Sequence, residues 1–302
     1  MDIPKIKGEI RRNEPLSGHT SFGIGGPADL LAYPADRDDL VVLLGELRKR
    51  GLQYFILGGG TNLLVKDGGY RGVAISLQHM KELRIEREYR SIGGVFAVVS
   101  AEAGASLAKL LSFAVEEGLT GLEFAAGIPG TVGGAVCMNA GTAAGETGDV
   151  IESVSLLSPE GALITRDRDQ MVFGYRTASV PDGHCVLAVR LVLRRDDKDK
   201  IKAKVKELID ARNQRQPLGL RNAGSVFKNP QEESAGRLIE AAGLKGKTVG
   251  GAQVSEKHAN FIVNLGNASA SDVIKLMELV KQAVLDARGV RLEPEIKIIG
   301  ED

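Results

Sequence analysis

The segment "AGSVFKNP", residues 223–230, places Ser225 three positions before Lys228. A serine with a lysine at that interval is the pattern of acyl enzymes, where the serine opens a helix and the lysine stands one turn later on the same face. The local composition opposes that geometry. Val226 and Phe227 favour a strand, and Asn229-Pro230 disfavours continuing as helix. The supporting elements are missing as well, since Ser271-Asp272 is followed by Val273 and Lys247-Thr248 by Val249. On local grounds Ser225 stays open as a nucleophile, a proton donor or a turn residue.

Two glycine-rich stretches point to a second kind of chemistry. "ILGGGTNLLV" (56–65) sets Gly58, Gly59 and Gly60 between a strand-like run and Thr61-Asn62-Leu63. Unencumbered backbone N–H groups there can form a nest for a pyrophosphate, with Thr61 and Asn62 as side-chain donors; a structural turn fits the same residues. "EFAAGIPGTVGGAVCMNAG" (123–141) carries little charge and places glycine at 127, 130, 133, 134 and 141. Its backbone can approach a large planar ligand closely, with Ile128, Val132 and Val136 supplying apolar contact. Two other matches fail. "GIGGPA" (23–28) has the letters of a dinucleotide fingerprint but follows polar "SGHTSF" and contains Pro27, so the strand–turn–helix context is absent. "AAGLKGKT" (241–248) has Ala241 where a phosphate loop needs its first glycine.

These residues must be held by regular elements. "ADLLAYP" (28–34), "QYFIL" (53–57) and "GVAISL" (72–77) read as strands, and 36–51 as a helix with acids at its start, bases at its end and a closing glycine. In the middle, "FAVVSAEAG" is a strand and 106–118 a helix capped by Ser106 and stopped by Gly118. The strands "VIESVSLLS" and "HCVLAVRLVLRR" follow. The run "RRDDKDK" (194–200) is a candidate hinge or a solvated helix start, and 201–217 is expected as an amphipathic helix ended by Pro217. Strand, helix, strand and helix complete the chain. The last helix spans 271–289 with Ser271 capping, and the strand "EIKIIG" (295–300) closes it. The fold class is α+β with three lobes.

Composition narrows the function. Lys plus Arg equals Asp plus Glu at 39 each, so no global field attracts nucleic acid or an anionic membrane, and an anionic substrate must be caught by local clusters. "MDIPKIKGEIRRNEP" lacks an apolar core of signal-peptide length, and no run approaches a membrane span. Cys137 and Cys185 have no close spacing, and the four histidines form no metal pair on a helix face, so no metal site is expected. A reducing cytoplasm is the expected setting, and a monomer the expected state.

Five segments in order, "LGGGTNLLV", "EFAAGIPGTVGGAVCMNAG", "FGYRTAS", "NAGSVFKNP" and "LEPEIKIIG", make the chain resemble the UDP-N-acetylenolpyruvoylglucosamine reductase family. The resemblance runs from "HTSFGIGGPAD" to the C-terminal strand. Its first two segments alone would resemble only the wider FAD-binding superfamily that includes vanillyl-alcohol oxidase. The resemblance implies a two-lobe FAD-binding region of that type plus a C-terminal α+β substrate-binding domain. The boundaries expected are 1–74 and 75–198 for the FAD-binding subdomains and 199–302 for the substrate domain. It implies a flavoenzyme of peptidoglycan precursor synthesis in which NADPH reduces FAD. The flavin then passes a hydride to the enolpyruvyl ether of UDP-N-acetylglucosamine enolpyruvate, giving UDP-N-acetylmuramate. Cofactor contacts are implied at Gly58, Gly59, Gly60, Thr61, Asn62 and Leu63, and at Gly127, Ile128, Pro129, Gly130, Thr131, Gly133 and Gly134.

The resemblance also assigns roles. Ser225 becomes the proton donor to the carbon that gains negative charge. Arg176 in "FGYRTAS" becomes the guanidinium that holds the substrate carboxylate, and Phe173 and Tyr175 suggest that its segment is half-buried. Glu295 becomes the catalytic glutamate, acting protonated or paired with Arg176; spacing alone does not separate it from Glu293. Tyr175, Arg215, Lys228, Asn229, Gln253 and His258 are implied substrate contacts, His258 being equally suited to a buried structural role. Residues 142–144 are Thr-Ala-Ala where the family often has Ala-Tyr-Gly, which removes an aromatic residue near the flavin. No tyrosine-bearing lid fits between Arg176 and Ser225, so the shorter, lidless type is expected. Three other readings compete: an oxidase of the same superfamily, a serine acyl enzyme, and a nucleotide-sugar binding module without turnover.

Overall fold

The computed structural model describes residues 5–302, so the first four residues of the N-terminal segment and of the expected first subdomain lie outside the described residues. The first part of the chain forms β1 (Glu9–Pro15), β2 (Pro27–Tyr33), α1 (Arg37–Lys49), β3 (Tyr54–Leu57), β4 (Leu63–Val65) and β5 (Tyr70–Ser76). Helix α1 begins where the Asp36 carboxylate accepts the N–H of Asp39, and it buries Leu40, Leu43, Leu44 and Leu47 along one stripe. The middle part forms β6 (Leu83–Ser91), β7 (Gly94–Glu102), α2 (Leu107–Glu117), β8 (Leu119–Thr120), α3 (Val132–Cys137), β9 (Gly141–Thr142), β10 (Gly145–Glu146), β11 (Ile151–Leu157), β12 (Leu163–Asp167), β13 (Phe173–Gly174), β14 (Thr177–Ala178) and β15 (Cys185–Arg195). Helix α2 has the expected ends: Ser106 accepts the N–H of Lys109, and Gly118 turns left-handed at φ 66°. The last part forms α4 (Lys198–Arg215), β16 (Arg221–Ser225), α5 (Ala235–Ala241), β17 (Thr248–Val249), β18 (Ala252–Val254), β19 (Phe261–Asn264), α6 (Ala270–Arg288) and β20 (Lys297–Ile299).

Two expectations change. Helix α6 is capped by Ser269, whose hydroxyl accepts the N–H of Asp272 while the Asp272 carboxylate accepts the Ser269 N–H, so Ser271 lies inside the helix. The reciprocal pair satisfies two end N–H groups at once, which a cap at Ser271 could not do with Ile274 at the third position. Helix α4 begins at Lys198, three residues before the expected start; along it Ile201 is buried and Val205, Leu208 and Ile209 are half-buried on one stripe, while most other positions are exposed.

The chain divides into two compact units. One comprises the residues up to Arg11, Leu31–Gly59 and Val73–Ala211; the other comprises Arg12–Leu30, Gly60–Gly72 and Arg212–Asp302. In the first, β3 runs parallel to β5 from Tyr54 opposite Val73 to Leu57 opposite Ser76. A sheet ordered β12-β11-β15-β7-β6, with β8 added beside β15, supplies its largest layer, and α3 packs on β15 and β7. In the second unit, a sheet ordered β16-β19-β18-β17 packs with α5 and α6 around Phe22, Leu64, Phe227, Ile262, Leu276 and Val280. The short strand β20 pairs in parallel with β4, Lys297 opposite Leu63. That pairing brings the C-terminal segment beside residues that directly follow the first glycine cluster.

Candidate active site

Ser225 ends strand β16 at a break in register. The pairing with β19 is regular at Arg221 and Asn222, shifts, and resumes with Ser225 opposite Phe261. Gly224 sits at φ 77°, and its N–H donates to the Asn222 Oδ1 at 3.0 Å. A bulge of this kind re-aims the next side chain, and glycine adopts the positive φ without a Cβ penalty. Beyond it, Asn260 substitutes for a strand partner. Its carbonyl accepts the Val226 N–H at 2.8 Å, its Oδ1 accepts the Phe227 N–H at 3.0 Å, and its Nδ2 donates to the Phe227 carbonyl at 2.8 Å. Asn260 is buried, so each of these bonds removes a group that would otherwise be stranded away from water.

The segment carrying Glu295 runs alongside. The Glu295 N–H donates to the Val226 carbonyl at 2.7 Å, the Lys228 N–H donates to the Glu293 carbonyl at 2.9 Å, and Phe227 bridges Pro294 antiparallel between them. The two glutamates differ in surroundings. Glu293 is exposed and its carboxylate meets the Lys228 Nζ at 3.4 Å, whereas Glu295 is half-buried. Both precede the strand, which starts only at Lys297. The Glu295 carbonyl accepts from Asn62 Nδ2 at 3.1 Å, and the Asn62 carbonyl accepts the Lys297 N–H at 3.0 Å. Asn62, read from sequence as a donor to a ligand, thus directs Nδ2 to the Glu295 backbone.

Arg176 occupies the tip of the two-residue hairpin between β13 and β14, where Phe173 pairs with Ala178 and Gly174 with Thr177. Its backbone is left-handed at φ 59°, unusual for a non-glycine residue, and Nη1 donates to the Gly141 carbonyl at 3.3 Å. The guanidinium carbon lies 5.1 Å from the centre of the Tyr175 ring. The expected half-buried segment is half right: Phe173 is half-buried, but Tyr175 is 49% exposed because it occupies the loop itself.

Two of the glycines are required by close packing of the chain on itself. A Cβ on Gly60 (φ 61°) would lie 2.0 Å from the His19 carbonyl oxygen, and one on Gly58 would lie 2.9 Å from the Thr131 Oγ1. The second distance places Gly58 beside Thr131 within the first unit. Gly127 and Gly130 have φ 72° and 119°, and Gly58, Gly59, Gly127, Pro129 and Gly134 are exposed. Ile128, Gly133 and the Thr61–Leu63 run are half-buried. Val132 and Val136, expected to touch a planar ligand, are instead buried: spaced by four, they form the face of α3 that packs on the sheet.

The proposed substrate residues scatter more widely. Arg215 is exposed at the end of α4. Lys228 is half-buried, and Asn229 Oδ1 accepts the Ala235 N–H at 3.1 Å at the entry to α5. Gln253 Nε2 donates to the Gly246 carbonyl at 3.4 Å. His258 Nδ1 accepts the Asn260 N–H at 3.2 Å and its ring lies 4.9 Å from that of Phe261; burial pushes its pKa down. Those contacts give His258 a structural part in holding Asn260. Sequence reading missed Asn139 and Asn260 altogether. For Asn139 a local signal existed, because asparagine just after a helix is the usual non-glycine residue for a left-handed turn.

Comparison with known proteins places these features. An FAD-binding domain family matches residues 28–166, which defines a flavoprotein. The C-terminal domain family of UDP-N-acetylenolpyruvoylglucosamine reductase matches residues 216–299. The reductase of that name from Caldanaerobacter subterraneus is 45% identical over 98% of this chain and 95% of its own. Its counterpart from Moorella thermoacetica is 45% identical over 100% and 99%. The crystal structure of the Thermus caldophilus reductase superposes with a TM-score of 0.80 at 36% identity, covering 97% of this chain and 99% of its own. The chain belongs to the UDP-N-acetylenolpyruvoylglucosamine reductase family. It is an FAD-dependent oxidoreductase, and the α+β fold class with an FAD-binding domain is the one expected from sequence.

Proposed function

We propose that the chain reduces the enolpyruvyl ether of UDP-N-acetylglucosamine enolpyruvate to UDP-N-acetylmuramate with electrons from NADPH, and that Ser225, Glu295 and Arg176 handle the proton and the charge. The observation that carries the residue assignment is the Glu295 N–H bonded to the Val226 carbonyl, which brings the backbone of Glu295 next to the residue that follows Ser225. FAD, when bound, supplies the hydride taken from NADPH. The residues that would hold it are Gly58 to Leu63, Gly127 to Thr131, Gly133 and Gly134.

Reducing the carbon–carbon double bond adds a hydride to the terminal carbon and a proton to its neighbour. Between the two additions, negative charge sits on the neighbouring carbon and spreads into the carboxylate. A serine hydroxyl is a weak acid, but a carbanionic carbon is a strong base, so transfer from Ser225 Oγ runs downhill. General acid help of this kind contributes about 10²–10⁴ in rate. Arg176 holds the carboxylate and meets the growing charge. Glu295, half-buried beside the serine segment, serves the charged intermediate either as a protonated acid or as a partner of Arg176. Tyr175, Arg215, Lys228, Asn229 and Gln253 bind the nucleotide sugar.

In functional parts, 1–74 and 75–198 serve the cofactor and 199–302 the substrate. The enzyme is read as a monomer of the reducing cytoplasm, without nucleic-acid or membrane partners. Both cysteines are free thiols, and no helix among the described residues is long and apolar enough to cross a membrane. The serine acyl reading has little support: Ser225 ends a strand rather than opening a helix, and Lys228 pairs with Glu293.

A visible absorption spectrum tests the reaction. Flavin bands that bleach under anaerobic NADPH and return on adding UDP-N-acetylglucosamine enolpyruvate support it. Bands that return with oxygen but not with that substrate favour the oxidase reading.

A further inference from the structure

We propose that Asn139 is a positioning residue for Arg176, locking the hairpin that carries the guanidinium to the end of helix α3; the inference rests on the role assigned to Arg176 above. Asn139 is fully buried and left-handed at φ 42°. Its N–H donates to the Val136 carbonyl and that of Ala140 to the Ala135 carbonyl, closing the helix. Glycine would serve that turn equally well, so the backbone does not explain the side chain.

The side chain reaches the hairpin. Its Nδ2 donates to the Gly174 carbonyl at 3.0 Å, and its Oδ1 accepts the Gly148 N–H at 2.8 Å. Gly174 is the residue paired with Thr177 at the base of the Tyr175-Arg176 loop. Gly141, two residues beyond Asn139, supplies the carbonyl that accepts from Arg176 Nη1. One turn of chain therefore grips the hairpin at its base and at its functional tip. Arg168 adds a second brace through the same Gly148: its Nε donates to the Gly148 carbonyl at 2.9 Å, its Nη1 to the Met171 carbonyl at 3.1 Å, and its guanidinium carbon lies 4.8 Å from the Phe173 ring centre.

The physical need is clear. A hairpin of two paired positions is marginal by itself. A non-glycine residue at positive φ is strained and persists only where its surroundings over-determine it. Asn139 and Arg168 provide that determination, and Asn139 ties it to the stretch of glycines assigned to the cofactor.

The test compares Asn139→Gly, which keeps the turn and deletes the amide, with Asn139→Asp, which keeps the acceptor for Gly148 and sets a carboxylate against the Gly174 carbonyl. Amide hydrogen exchange of the FAD-loaded protein is expected to rise by about tenfold or more over 173–178 while β7 and β15 keep their protection. Bleaching by NADPH is expected within about twofold of wild type, and return of the flavin bands with substrate to slow by about tenfold or more. In an Arg176→Lys background the same Asn139 change should add little, because its effect passes through the guanidinium. Unchanged exchange over 173–178, equal slowing of both half-reactions, or full additivity with Arg176→Lys would each overturn the inference. Arg176→Lys returning at the wild-type rate removes the Arg176 assignment and this inference with it. A slow Arg176→Lys beside a normal Asn139→Gly removes this inference alone. Should the Asn139 variants fail to fold, Arg168→Lys, at an exposed position in the 3-10 turn just before the hairpin, is read by the same measurements.

Discussion

The backbone N–H of Glu295 donates to the carbonyl of Val226 at 2.7 Å, which fixes the C-terminal segment against the residue that follows Ser225. Main-chain bonds join these two segments, which are far apart in sequence, and Phe227 bridging Pro294 extends the contact. The side chains are then free to be chosen for chemistry. Asn260 holds one side of this arrangement and Asn62 the other.

Glu295 and Glu293 should separate in function. Glu295→Gln keeps a neutral donor and is expected to lose modestly in kcat, whereas Glu295→Ala is expected to lose roughly 10²-fold or more. Glu293→Gln, which breaks only an exposed pair with Lys228, is expected to leave kcat within about twofold and cost less than about 1 kcal/mol of stability. Steady-state kinetics on the three variants check this, and equal losses at 293 and 295 would remove the assignment.

The helix ends and the strand character of the Ser225 segment were legible because they are local: Ser106 and Gly118 bound α2, and Val226-Phe227 opposes a helix. Ser271 was read as a cap because the sequence offers two serines two residues apart, and only the reciprocal bonds of Ser269 and Asp272 decide between them. Val132 and Val136 suit a ligand contact by composition, and only the sheet beneath α3, built from strands distant in sequence, buries them instead. The choice of Glu295 over Glu293 depends on a partner segment far away in sequence. Asn139 and Asn260 act through side-chain bonds to distant backbone, which no spacing rule records.

Gly60→Ala should be severe. The new Cβ would fall 2.0 Å from the His19 carbonyl oxygen, on a backbone at φ 61° that costs an L residue roughly 1–2 kcal/mol before any clash. The expected outcome is a lower melting temperature together with reduced FAD content after purification. Gly219→Ala, which meets no atom within 4 Å, is the control and should behave as wild type.

Acid should destabilise the protein partly through Asp39. Burial raises the pKa of its carboxyl, but N–H bonds from Ala35, Lys7 and Gly8 together outweigh that and hold it below the ordinary 3.8. A folded pKa below the unfolded one stabilises the protein fully above the unfolded value, and that stability fades as pH falls through the folded value. Asp39→Asn is expected to melt lower than wild type at pH 7, with the gap narrowing below about pH 4. Thermal melts across that range measure it, and a gap independent of pH would contradict the assignment.

Asn260→Ala strands the N–H and carbonyl of Phe227 in a buried site, at roughly 1–3 kcal/mol for each group. Denaturant unfolding should show that loss, and turnover of the folded fraction should fall because the Ser225 segment loses its clamp. Full turnover by a destabilised variant would show that the clamp serves folding only.

The most direct measurement is anaerobic stopped-flow on Ser225→Ala, loaded with FAD and reduced by NADPH before UDP-N-acetylglucosamine enolpyruvate is added. If Ser225 delivers the proton, bleaching by NADPH matches wild type, and formation of UDP-N-acetylmuramate with return of the flavin bands slows by about 10²–10⁴. Product formed at the wild-type rate would contradict a proton donor at position 225.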